Sequence, residues 1–284
     1  MSQTAVIKPL ISVKDESLDT NLQGKLYLSI QSGQGMLVWA LFSPGDMKYL
    51  AIESYSYDKV GEEAILAQVK TAPWFANVTS VSLAMVSDKI TLVPEPLFDE
   101  KVKNIYANFS FGTNGNDTIL SAKVRSARCI AVFTFSQEKE KLYRNFSPAI
   151  KIMHVAVPLL ESVLVNDKNE NTEKAYLCIR PKSIELAFTK NGSLLYYNTF
   201  NYTTSEDVIY YLLFALEQLK LNPETINLHL LGEVEKNDSF YSIIYKYVRN
   251  VSFMKRNSRF EFSYRFNELP EHAFYTLFSQ YLCA

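Results

Sequence analysis

Charge of one sign, cysteine, glycine and long apolar runs are all scarce in this 284-residue chain, and each shortage removes a class of function. Lys plus Arg number 29 and Asp plus Glu 30, a net charge of −1, so no basic surface points to nucleic acid or anionic lipid. Cys129, Cys178 and Cys283 lie far apart and form no C-x-x-C pair; an odd, scattered set builds no disulfide framework and suits a reducing compartment. The longest apolar runs, such as Met36 to Phe42 and Val208 to Leu216, fall short of the roughly 20 residues that span a bilayer. Charges interrupt Met1 to Gln23 before a signal-peptide core can form, so a cytoplasmic protein with no membrane segment is expected. A nucleophile elbow, a Walker loop and a dinucleotide G-x-G-x-x-G are absent. His154, His229 and His272 do not have metal-ligand spacing, and ordinary strand or surface histidines are expected.

What the chain does have is 48% hydrophobic residues, enough for a sizeable core, arranged in a repeat. Lys25-Leu26-Tyr27-Leu28-Ser29-Ile30 returns as Lys174-Ala175-Tyr176-Leu177-Cys178-Ile179, an offset of 149. Each copy continues with a second apolar strand (36–42 and 184–188), a turn (Ser43-Pro44-Gly45-Asp46 and Thr189-Lys190-Asn191-Gly192) and a third strand (49–55 and 194–200). A capped helix follows, opened by Asp58 in one copy and Ser205 in the other, and then a fourth strand at 81–85 and 226–230. Final helices are predicted over 98–107 and 239–249. The fold class is therefore α/β: two tandem β-β-β-α-β-α modules of the ribonuclease-H-like kind, whose pairing makes the actin-like ATPase architecture.

Between the copies the spacing predicts a hairpin around Asn114-Gly115-Asn116-Asp117, a strand at 129–135, a polar stretch at 137–144 and a strand at 151–157. The run 166–171, all charges and amides, reads as the linker, dividing the chain into a first module with its insertion (1–165) and a second module (172–284). Residues 270–282 carry Ala273, Phe274, Leu277, Phe278, Tyr281 and Leu282 on one helical face and should dock on the body.

An actin-like nucleotide site needs glycine hairpins for phosphates, acids for the metal and its waters, and a glycine pair near the base. Ser32-Gly33-Gln34-Gly35 supplies one such turn, but the strand before it carries Ser29 and Gln31 where an Asp is required. The equivalent turn of the second copy, Arg180-Pro181-Lys182-Ser183, has neither glycine nor acid, and Leu231-Gly232-Glu233 has a single glycine. Glu206 and Asp207 already occupy the start of the helix after Ser205, which reads as capping and not as an anion site. Neither first strand has the carboxylates that two-metal nuclease chemistry needs. Tyr197, Asn198, Tyr202 and Tyr210 form the candidate partner-binding group, since tyrosine combines apolar area with a hydroxyl. Two basic groups, Lys123, Arg125, Arg128 and Lys255, Arg256, Arg259, read as solvated strand edges.

Asp15-Glu16-Ser17, Thr91-Leu92-Val93-Pro94-Glu95-Pro96-Leu97-Phe98, Tyr197-Asn198-Thr199-Phe200-Asn201-Tyr202 with Glu206-Asp207, and Tyr210-Tyr211 together resemble an uncharacterised bacterial family found mainly in the Bacteroidetes lineage. The resemblance covers nearly the whole chain. It implies a duplicated actin-like ATPase fold and a cytoplasmic bacterial setting, with no catalytic residues to carry over. The resulting expectation is a non-catalytic actin-like scaffold or regulatory protein with a protein partner and no cofactor. The alternative is an actin-like protein that binds ATP or ADP through Gly33, Gly35 and Gly232 with weak or no ATPase activity, the one activity expected if the protein is an enzyme.

Overall fold

The structure, a computed structural model, describes residues 6–19, 24–58 and 60–283; the remainder of Met1 to Gln23 lies outside the described residues. In chain order the first half comprises β1 (Ile11–Lys14), β2 (Leu26–Gly33), β3 (Met36–Ser43), β4 (Lys48–Ser56), α1 (Glu62–Lys70), β5 (Val78–Met85), β6 (Ile90–Pro94), α2 (Lys103–Ser110), β7 (Asp117–Val124), β8 (Cys129–Ser136), α3 (Gln137–Phe146), β9 (Lys151–His154) and α4 (Ala156–Asp167). The second half comprises β10 (Glu173–Ile179), β11 (Ser183–Lys190), β12 (Ser193–Asn201), α5 (Ser205–Gln218), β13 (Asn227–Gly232), α6 (Ser239–Tyr247), β14 (Asn250–Phe253), β15 (Glu261–Phe262) and α7 (Tyr275–Phe278).

Two sheets share one plan. In the first, β4-β3-β2-β5-β9 pairs antiparallel through β2 and parallel from β2 onward, with β1 and β15 added beside β4. In the second, β12-β11-β10-β13-β14 repeats that order and polarity. An antiparallel meander thus feeds a parallel crossover in each, as the sequence repeat requires. Strands β2 and β11 are buried along almost their whole length, polar Ser29, Gln31 and Glu185 included. A smaller sheet, β6-β8-β7, forms the insertion.

Several boundaries differ from the sequence reading. The 151–157 strand ends at His154, and α4 follows at once. Ten of its twelve residues are buried because it lies between the small sheet, β11 and β12 and the C-terminal turns, so it has no polar face to reveal a helical period. The first two residues of the 166–171 stretch are its last turn, and Asp167 is 2% exposed, accepting from Tyr176 Oη, Thr189 Oγ1 and Lys174 Nζ. The hairpin of the small sheet turns at 125–128 and not at 114–117; Arg125 N, Ser126 N and Ser126 Oγ all donate to buried Glu161 of α4, which holds that turn down. Helix α1 starts after Gly61 and not at Asp58, whereas α5 has Thr204 as its cap, in a reciprocal box with Asp207. The 98–107 helix is displaced to α2, and the 270–282 helix is broken by Phe274, in the left-handed region at φ 56°.

The C-terminal segment nevertheless docks, and on the first sheet. Leu277 and Phe278 join Phe42, Tyr49, Phe260 and Phe266 in one apolar cluster, and Gln280 bridges Ser82 Oγ (2.7 Å) and Ile30 O (3.1 Å). The chain returns from the second sheet to complete the first, so the two halves are interlocked.

Candidate functional site in the cleft between the sheets

The β2–β3 and β10–β11 hairpins face each other across the cleft. Gln34 and Gly35 both have positive φ (55° and 86°), the two-residue turn whose twist matches its strands. At its tip Gln34 Nε2 donates to Ser183 Oγ (2.6 Å), and Gln34 Oε1 accepts from Lys182 N (3.1 Å). One side-chain amide therefore ties together the two turns that would cradle phosphates. A second tie, Asn201 Nδ2 donating to Asp88 Oδ2 at 2.7 Å, lies nearby on the cleft rim.

Deeper in, Arg180 Nε and Nη2 reach Glu185 Oε2 at 2.7 and 2.5 Å, both residues buried, at 8% and 1% exposure. Tyr197 Oη donates to Glu185 Oε1 (2.8 Å) and Tyr202 Oη to Arg180 O (2.6 Å). Arg180 Nη2 also reaches Thr276 Oγ1 (3.3 Å), which donates to Gln31 Oε1 (3.2 Å). Gln31 of β2 and Arg180, the residue after β10, hold equivalent positions at the repeat offset of 149 and are thus joined through the C-terminal segment. What remains is a cavity of about 80 Å³ walled by these residues, Ile179, Glu233 and Phe274.

Of the sequence candidates, Gly33 and Gly232 line this cavity, and Gly35 sits at the turn where its N–H donates to Tyr57 Oη (3.2 Å). The N–H of Gly232 donates to His272 O (3.1 Å). Tyr197 and Tyr202 turn their hydroxyls inward to the Arg180–Glu185 network, while Asn198 and Tyr210 are exposed. Sequence reasoning missed Glu185, Thr276 and Gln280. Glu185 carried a signal: an acid within the apolar run Ile184 to Phe188 needs a buried partner.

These side chains do not fit a magnesium–nucleotide. An amide and a guanidinium stand at the two positions that would hold the metal's waters, the guanidinium is already paired, and the described residues contain no cluster of three metal-ligating side chains. The second turn has proline in place of one donor, and Gly232 has given its own donor to His272.

His154, at the end of β9 beside this cleft, is fully buried. Its Nε2 lies 2.9 Å from Ser87 O, and Ala156 N donates to its Nδ1 at 3.1 Å, a network that assigns the proton to Nε2 and requires a neutral ring. Burial lowers its pKa from 6.5 to about 4. A group depressed in the folded state binds fewer protons there than in the unfolded chain, so its contribution is intact above pH 6.5 and is lost as pH falls toward 4. Wild type should lose about 3 kcal/mol more than His154→Gln between pH 7 and 4 in urea unfolding. Parallel pH profiles for the two proteins would refute this role.

No curated protein matches the chain. Among solved structures, a Bacteroides thetaiotaomicron protein with actin-like ATPase fold and unknown function superimposes with a TM-score of 0.73 at 21% identity, covering 81% of this chain and 91% of that one. The PilM–PilN type IV pilus biogenesis complex matches with a TM-score of 0.61 at 14% identity, over 90% of this chain and 97% of that one. Ethanolamine utilization protein EutJ from Carboxydothermus hydrogenoformans matches with a TM-score of 0.51 at 9% identity, over 93% and 91%. At these identities the likeness establishes the actin-like ATPase fold and nothing about activity. No helix among the described residues is long and apolar enough to cross a membrane. The family described as "Protein of unknown function (DUF3822)" matches residues 15–251, and the chain belongs to it.

Proposed function

We propose that this protein is a non-catalytic actin-like scaffold or regulatory module that works by binding a protein partner. The observation that carries the reading is the Arg180–Glu185 pair, tied through Thr276 to Gln31, in the place where a triphosphate and its metal would have to sit. The side-chain tie of Gln34 across the two turns supports it further. A protein partner is favoured by precedent, since one structural neighbour comes from a two-protein complex, PilM–PilN. The face we assign to that partner is the outer side of α5, where Tyr210 (61% exposed) and Phe214 (46%) stack at 6.1 Å. Asn198 is exposed on β12, the sheet's free edge, whose nine residues carry no charge.

Two measurements test the reading. Millimolar ATP with magnesium should produce neither hydrolysis above a heat-inactivated control nor a thermal shift, because a ligand bound only by the native state must stabilise it. Proteins retained by the wild-type chain from a host extract should be lost with the Tyr210→Ala/Phe214→Ala double variant. Turnover of ATP, or retention unaffected by the double variant, would overturn the corresponding half of the proposal.

A further inference from the structure

A donor-rich cavity lies outside the cleft. A pocket of about 390 Å³ lies between the end of α4, the first half of β10, β13 and the segment 252–258 that leaves β14. Its volume falls in the roughly 300–1,000 Å³ range of small-molecule sites. Asp167 is the one acid on its wall, and its oxygens are already taken by Tyr176, Thr189 and Lys174. The donors are in the opposite position. Lys255 and Arg256 form no ion pair among the described residues; Arg256 feels the charge of Glu271 without touching it, lies over the Phe262 ring at 5.0 Å and donates through Nη2 to the carbonyls of Phe266 and Leu269, while its Nε is buried and unmatched.

Asn257, 8% exposed, accepts from Arg259 N through Oδ1 (3.0 Å), which fixes the amide's orientation and leaves its Nδ2 buried without an acceptor. The backbone N–H groups of residues 255–258 donate to nothing among the described residues. Ser252 and Ser258 add hydroxyls, the first lying 2.9 Å from His229 Nδ1 across the β13–β14 pair. In a chain whose net charge is −1, two adjacent cations outside any ion pair beside unmatched donors are a local feature, and the partner that fits them is an acceptor of high charge.

We infer that this pocket binds a terminal phosphate, free or carried on a small phosphomonoester. A phosphate presents several strong acceptor oxygens and close to two negative charges, matching the two cations outside any ion pair, the serines and the open backbone donors together. A carboxylate offers half the charge and two oxygens. This assignment does not depend on the cleft or on the partner-binding reading.

Calorimetric titration with inorganic phosphate and, separately, glycerol 3-phosphate tests it, with chloride holding ionic strength constant. The expected result is saturable binding that weakens at least roughly tenfold in Lys255→Ala and is unchanged in Lys236→Ala, an exposed lysine outside the pocket. Amide signals of 252–258 should shift on titration. Tighter binding of the ester assigns a phosphorylated metabolite as ligand, and equal binding assigns phosphate itself. No saturable binding in the millimolar range, or a Lys255→Ala isotherm superimposable on wild type, overturns the proposal.

Discussion

Arg180→Ala should unfold at markedly lower urea than wild type, with a loss of about 3–5 kcal/mol at pH 7, because it strands a buried carboxylate. Glu185 is 1% exposed and would keep only Tyr197 Oη and the weakly donating Cys178 thiol. The Coulombic gain of a buried pair roughly offsets its desolvation, so the pair itself adds little net stability; the penalty comes from removing one member. The double variant Arg180→Met/Glu185→Leu should therefore recover most of the loss, since it removes both charges and refills the volume. That contrast separates a buried pair from a functional arginine facing solvent. If Arg180→Ala stays within about 1 kcal/mol of wild type, the guanidinium is not sealed in the cleft and is free to meet a phosphate there.

The parts of the fold that could be read in advance are those where neighbouring residues set the conformation. β10, β11 and β12 follow from apolar runs punctuated by Asn191-Gly192, a turn with both residues at positive φ (51° and 71°). The repeat located the matching strands of the first sheet for the same reason. α4 was illegible because burial on every side erased its periodicity, and Asp167 passed for linker because its three partners come from β10 and β11. In the small sheet, Asn114-Gly115 attracts the hairpin assignment, yet the chain turns where Arg128 takes φ 51°, a conformation composition does not announce. The cleft was half legible. The missing acids and the proline were visible in the sequence, whereas the closure through Gln34, Arg180 and Thr276 depends on residues about 150 and 100 positions apart in the chain, a separation over which local pattern carries no information.

Gly232→Ala provides the sharpest test of why the cleft keeps a glycine there. A nucleotide reading keeps it for a ligand; the structure keeps it for its own backbone. A Cβ at 232 would lie 2.1 Å from Ile179 O, a backbone atom of the adjacent parallel strand that also accepts from Glu233 N, and residue 232 has φ +83°. Steric displacement and a left-handed alanine each cost about 1–3 kcal/mol, so a loss of about 4 kcal/mol is expected. Gly115→Ala, where an added Cβ meets nothing within 4 Å, should change stability by less than about 0.5 kcal/mol. If Gly232 served a ligand alone, the alanine variant would fold like wild type without ATP and lose only an ATP-dependent gain. If it serves the approach of β13 to β10, the variant is weakened equally with and without ATP, and no concentration of nucleotide restores it.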